Sequence, residues 1–202
     1  MSNQYKFLTR WRVKATAPEV YDLISDPLGY PRWWPSVYLE TTLIAPPGSQ
    51  DDGREVGRRI RYFTKGWLPY TLRWESCAIE ADRPNRIAIS ATGDFDGRGI
   101  WTFEQDADFV NLTFDWQLAA DKPLLRYLSS VFKPVFAANH VWAMARGQES
   151  LLLELARRHA ASPEERNRIP APPGPNTTSG IWLSLGALAV VAGGVALWLA
   201  LR

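Results

Sequence analysis

Val110-Asn111-Leu112-Thr113-Phe114-Asp115-Trp116-Gln117-Leu118 alternates apolar and polar residues without a break. Side chains of a strand point to opposite faces in turn, so this run predicts a β-strand with Val110, Leu112, Phe114, Trp116 and Leu118 on one buried face. Past Pro123 the period changes. Leu124, Leu128, Val131, Val135, Ala138, Trp142 and Ala145 recur at helical spacing and predict one long helix reaching about residue 160. A strand of period two followed by a single long helix makes the domain α+β.

The preceding sequence supplies more strands. Tyr5, Phe7, Thr9, Trp11 and Val13 alternate with Lys6, Arg10, Arg12 and Lys14, the pattern of a half-buried strand. Thr16 then stands three residues before Glu19, a capping box, and Pro18 suits the first turn of a helix that Pro27 closes. Residues 28–35 read as one short helical turn. Strand-like runs come next at 37–44, 55–64, 70–80, 86–91, 99–104 and 109–118, separated by turn-formers at 46–48, 83–85 and 94–97. Residues 1–161 are long enough for one domain with its own core.

The order strand, short helices, antiparallel strands, long helix is accompanied by two local motifs. Thr16-Ala17-Pro18-Glu19-Val20-Tyr21-Asp22-Leu23-Ile24-Ser25-Asp26, with Tyr30-Pro31-Arg32-Trp33-Trp34-Pro35 after it, resembles the opening of START-like (SRPBCC, polyketide cyclase/dehydrase) proteins. Asn139-His140-Val141-Trp142-Ala143-Met144-Ala145-Arg146-Gly147 is similar to the long-helix segment of one bacterial subgroup. The resemblance spans residues 5–160. It implies a helix-grip fold, a curved antiparallel sheet wrapped around the C-terminal helix with a deep apolar cavity between them. Relatives bind lipids, polyketides, hormones and other hydrophobic molecules, and some are cyclases or dehydratases. Fold alone does not choose among these.

The chain carries ten tryptophans. Trp74, Trp101, Phe103, Phe114, Trp116 and Trp142 fall on faces expected to point inward, where an aromatic residue packs a core or lines a cavity. Trp33 and Trp34 occupy the connection where the resemblance puts the cavity entrance; either one ring is exposed there or both wedge beneath the sheet. Tyr62 and Asn139 are the polar groups placed either to hydrogen-bond a ligand or to be satisfied by backbone. His140 is expected at the surface or against a neighbouring loop, and Arg73 with Glu75 as an exposed ion pair. The ligand-binding set is thus Trp33, Trp34, Tyr62, Trp101, Phe103, Phe114, Trp116, Asn139 and Trp142, with no catalytic residue identified. Two histidines and one cysteine build no convincing metal cluster, and no phosphate-binding glycine loop or nucleophile elbow is present. No metal and no cofactor is expected.

Beyond the domain the composition changes. Pro163, Pro170, Pro172, Pro173 and Pro175 crowd into residues 162–179, which read as a semi-rigid linker with a reach of roughly 55 Å. Residues 180–201 hold no charge, and as a helix they would span ~33 Å, enough for a ~30 Å hydrocarbon core. Trp182 and Trp198 lie near its ends, where headgroups favour indole rings. This is the expectation of a single transmembrane helix. Gly186, Ala189, Gly193, Ala196 and Ala200 draw a small-residue stripe along it, by which two copies could pair as a homodimer. No apolar run stands behind the first basic residue, so no leader is expected. Arg157, Arg158, Arg166 and Arg168 before the segment place the domain on the cytoplasmic side, and the lone Cys77 fits a reducing compartment. A net charge of +2 without a basic aromatic stripe argues against nucleic acid as a partner.

These features predict a membrane-tethered protein that binds or transfers a hydrophobic small molecule such as a lipid, isoprenoid or polyketide. The alternatives are a cyclase or dehydratase acting on a membrane-soluble substrate, and an interaction module dimerising through its anchor.

Overall fold

The computed structural model describes residues 4–47, 55–119 and 123–176, with the side chains of Gln4 and of 123–133 excepted. Seven strands form one antiparallel sheet: β1 (Gln4–Lys14), β2 (Tyr38–Ala45), β3 (Arg59–Lys65), β4 (Thr71–Asp82), β5 (Arg86–Gly93), β6 (Asp96–Asp106) and β7 (Phe109–Ala119). Their spatial order is β1-β7-β6-β5-β4-β3-β2. Only β1 is displaced from chain order, and it closes on the last strand with Gln4 opposite Ala119 and Lys14 opposite Phe109. A register shift between Ala78 and Glu80 marks a bulge in β4, which bends the strand and sharpens its twist.

Among the described residues the helices are α1 (Ala17–Ile24), α2 (Tyr30–Trp33), α3 (Pro123–His159) and α4 (Pro163–Arg168), with a 3-10 turn over Pro27–Gly29. Glu19 closes the start of α1, its Oε2 accepting from the Thr16 amide at 2.9 Å and the Thr16 hydroxyl at 2.6 Å. The alternation read in residues 110–118 holds along β7, where Val110, Leu112, Phe114 and Trp116 are buried. This is the helix-grip α+β arrangement, a seven-stranded antiparallel sheet with one long helix across it.

The inward face of α3 differs from the stripe expected. Ala138 and Ala145 are exposed, and Val141 is 66% exposed. Phe136, Asn139, His140, Ala143 and Met144 face the sheet instead, followed by the buried Ser150, Leu151, Glu154 and Leu155. The inward stripe is partly polar because it meets a cavity at one end and a charged partner at the other. Glu154 is 4% exposed, and its carboxylate accepts two hydrogen bonds from Arg32 at 2.8 Å and one from Arg158 at 3.3 Å. A buried charge needs such partners. Here they fasten α2 to the C-terminal half of α3.

Residues of the Pro-rich segment also depart from a uniformly extended linker. Ser162 Oγ accepts from the Glu165 amide at 3.2 Å and caps α4. Among the described residues no helix is long and apolar enough to cross a membrane. The segment expected to do so, 180–201, and its small-residue stripe lie outside the described residues.

Candidate binding cavity

A cavity of about 530 Å³ lies between the sheet and α3. At one end, Tyr30, Trp34, Ile24, Ser25 and Pro27 close it, all buried. At the other end, Lys65, Gly66, Tyr70, Leu72, Phe95, Leu118 and Phe136 line it while remaining part-exposed, so the mouth is on that side. The strand ends agree with this polarity. The β3–β4 connection, the β5–β6 connection and the Gln4–Ala119 end of β1 and β7 all cluster at the mouth.

The wall is built of touching rings. Tyr62 stacks on Trp74 at 4.1 Å and 14° between planes; Trp101 stacks on Phe114 at 4.4 Å; Phe114 meets Trp116 at 5.4 Å. Strand alternation puts these rings on one face, and such pairs add ~1 kcal/mol each beyond their burial. On the helix side Gly147 lets α3 come close. A Cβ there would overlap the Trp34 ring.

Of the nine residues expected to bind ligand, Trp34, Tyr62, Trp101, Phe114, Trp116 and Asn139 meet at this cavity. Three do not. Trp33 is 1% exposed and packs behind Trp34, rings 5.5 Å apart. Phe103 is buried under α1 against Tyr21 at 5.4 Å. Trp142 is part-exposed, one position round α3 from the cavity face. Neither tryptophan of the Trp33-Trp34 pair is exposed at an entrance, so the wedge alternative describes both.

Asn139 lines the cavity and is also engaged by backbone. Its Oδ1 accepts from the Trp67 amide at 2.9 Å and the Leu68 amide at 3.3 Å, pinning the β3–β4 connection to α3. Gly66 permits this approach, since a Cβ at that position would overlap the Asn139 side-chain amide.

Among the polar groups that face the cavity are several phenols and an imidazole. Burial pushes the Tyr62 phenol up to about 12, opposed by its hydrogen bond to Ser76 Oγ at 3.1 Å. Tyr70 is raised to about 12 by burial and then by Tyr5. The Tyr38 phenol, pushed up by burial and by Tyr62, makes no hydrogen bond among the described residues. His140 corrects a surface expectation: it lines the cavity, stacked on Phe7 at 4.3 Å, with Nε2 3.3 Å from Thr9 Oγ1. Burial lowers its pKa to about 4, so the ring is neutral near pH 7. Hydropathy gave no signal for it, because a histidine is ordinary on either face of a helix.

Arg58 lines the closed end, donating from Nη2 to the Ser25 carbonyl at 2.5 Å. The expected pairing of Arg73 with Glu75 is replaced by others. Glu75 is taken by Arg59 at 2.9 Å and by Arg61 at 2.9 Å, while Arg73 lies over the Phe63 ring at 4.4 Å. Among the described residues no group of three His, Cys, Asp or Glu side chains is placed to hold a metal.

Residues 6–160 match the family model described as polyketide cyclase/dehydrase and lipid transport. The chain belongs to this family. The family match takes in all of the sheet but the first two residues of β1, and all of α3, so the cavity is part of the shared domain. A search of curated proteins gives no match. Solved structures share the fold. A Thermus thermophilus protein aligns at TM-score 0.59 and 20% identity, covering 75% of this chain and 99% of that one. The ZhuI aromatase/cyclase from Streptomyces sp. R1128 aligns at 0.57 and 20%, covering 78% and 97%. A START superfamily protein from Mycobacterium smegmatis aligns at 0.50 and 16%, covering 69% and 98%.

Proposed function

We propose that the protein binds a hydrophobic small molecule in the cavity and passes it to or from a bilayer to which residues 180–201 tether it. The observation that carries this reading is the cavity itself: about 530 Å³, walled by stacked aromatic rings, with the Tyr38 and Tyr62 phenols and neutral His140 facing inward. Such a lining matches a lipid, isoprenoid or polyketide-like molecule that is mostly apolar and carries a few oxygen functions, which phenols can orient. A tether would keep the cavity at high local concentration beside ligands that partition into lipid. The domain would then work at the cytoplasmic face, given the arginines ahead of the segment.

The test is to purify the full chain in mild detergent, record native mass spectra, and identify what solvent extraction releases. A stoichiometric hydrophobic passenger is expected. A protein that is empty, and whose melting does not respond to a panel of lipids and quinones, would sink the reading.

A second reading, a cyclase or dehydratase, is favoured by His140. A neutral imidazole on the cavity wall has a lone pair free to accept a proton, although its lowered pKa makes it a weak base. His140→Gln would then abolish turnover of a bound substrate while leaving its binding intact; loss of neither would remove the enzyme reading.

A further inference from the structure

We infer that residues 169–176 form a strap that delivers the chain beyond it to the cavity mouth, so that the mouth, and not the closed end, is turned toward the bilayer. This rests on the membrane reading of residues 180–201.

The strap is fixed at both ends. Near the C-terminus of α3, Arg157 donates from Nη2 to the carbonyls of Ile169 and Pro170. At the far end, Lys65 Nζ donates to the Asn176 carbonyl at 3.1 Å. Lys65 lines the cavity at its open end, opposite Thr71 in the β3–β4 register. The strap therefore runs back along the domain from closed end to mouth, a path of roughly 20 Å for its extended residues. Pro170, Pro172, Pro173 and Pro175 lie within it. Each holds its φ near −65°, so the segment behaves as a stiff rod whose two held ends set its direction.

The connection from the strap to the uncharged run is short. Residues 177–179 alone separate Asn176 from Gly180, and a fully extended chain covers at most ~3.6 Å per residue, roughly 14 Å in all. The uncharged run must therefore begin within that distance of the mouth. The opposite end of the sheet, at the β6–β7 turn, lies about an eleven-residue strand away, ~35 Å. A bilayer entered at Gly180 is thus within reach of the mouth and beyond reach of the closed end.

The rim itself suits lipid. Gly66-Trp67-Leu68-Pro69-Tyr70 connects β3 to β4 at the mouth and contains no charge. Trp67 and Tyr70 are part-exposed, and indole and phenol rings favour the headgroup level. Lys65 beside them is part-exposed, its ammonium held by the Asn176 carbonyl at 3.1 Å. The pinning of Trp67 and Leu68 by Asn139 makes this loop a fixed feature of the mouth. Ligand could then pass between lipid and cavity without crossing open water.

The experiment uses the full chain with Cys77→Ser, carrying one fluorophore at Thr71→Cys on the rim or at Asp108→Cys in the β6–β7 turn. Each is mixed with phosphatidylcholine–phosphatidylglycerol vesicles containing a headgroup-nitroxide lipid, and both flotation and quenching are read. The expected result is flotation of both, with quenching at Thr71 several-fold stronger than at Asp108. Lys65→Ala with Arg157→Ala should shrink that contrast. Flotation with equal quenching at the two sites would overturn the orientation and leave the tether standing. A contrast that survives the double substitution would overturn the strap as its cause. Failure to float would overturn the tether and this inference with it.

Discussion

His140 shows how one buried base sets a pH dependence. Its pKa falls from the usual 6.5 to about 4 because burial disfavours the imidazolium. A depressed folded-state pKa means that the unfolded chain takes up the proton first as pH falls. The stability it contributes is therefore fully present above about pH 6.5 and is lost progressively down to about pH 4. By linkage the loss is at most ~3.5 kcal/mol. Urea unfolding of the wild type at a series of pH values is expected to show this decline, and His140→Gln to flatten it between 6.5 and 4. Equal slopes for the two proteins in that window would contradict the assignment.

At the level of elements, α3 explains both what was legible in the sequence and what was not. Its existence and extent follow from the change of period at Pro123, and the strands follow from alternation; β7 spans Phe109–Ala119 where the pattern predicts 109–118. The rotation of the helix about its axis does not follow. A hydropathy stripe picks the most apolar face, but Ala138 and Ala145 are small enough to stand in solvent at little cost, whereas Asn139, His140, Ser150 and Glu154 turn inward. That rotation carries Trp142 off the cavity and His140 onto it. The strand residues suffer no such error, because a period of two leaves only two faces to choose between. Trp101, Phe114 and Trp116 are thus on the inward face that alternation assigns them, and Phe103 shares that face but lies deeper, under α1. Asn139 supplies the element-scale prediction. Asn139→Ala removes the acceptor for two amides of the β3–β4 connection, a loss of ~1–3 kcal/mol when the donors stay buried. Hydrogen exchange should accelerate at Trp67 and Leu68 and remain unchanged in β7; uniform acceleration would mean that Asn139 supports the fold generally, not the loop.

For the whole molecule, cavity and stability are coupled. A domain that leaves about 530 Å³ open has apolar wall with no partner atoms, and a molecule that fills it supplies them. A ligand bound only by the folded state at 100 times its Kd adds ~2.7 kcal/mol, which for a domain of this size raises Tm by roughly 5–10 °C. Differential scanning fluorimetry of the full chain against candidate lipids should find that shift, and Tyr38→Phe should diminish it by removing an oriented hydroxyl. A ligand whose shift is unaltered by Tyr38→Phe does not use that phenol.

The ring wall has an optical consequence. Trp34, Trp11, Trp101 and Phe114 form a continuous chain of neighbours with centroid spacings of 4.4–5.8 Å, and Phe114, Trp116, Trp74 and Tyr62 extend it with spacings of 4.1–5.9 Å. Indoles this close exchange excitation energy and couple their electronic transitions. Light absorbed at one end of the cavity is therefore emitted according to whatever touches any ring along it. The protein is its own occupancy sensor: an entering molecule would alter emission and near-ultraviolet dichroism together, with no label attached.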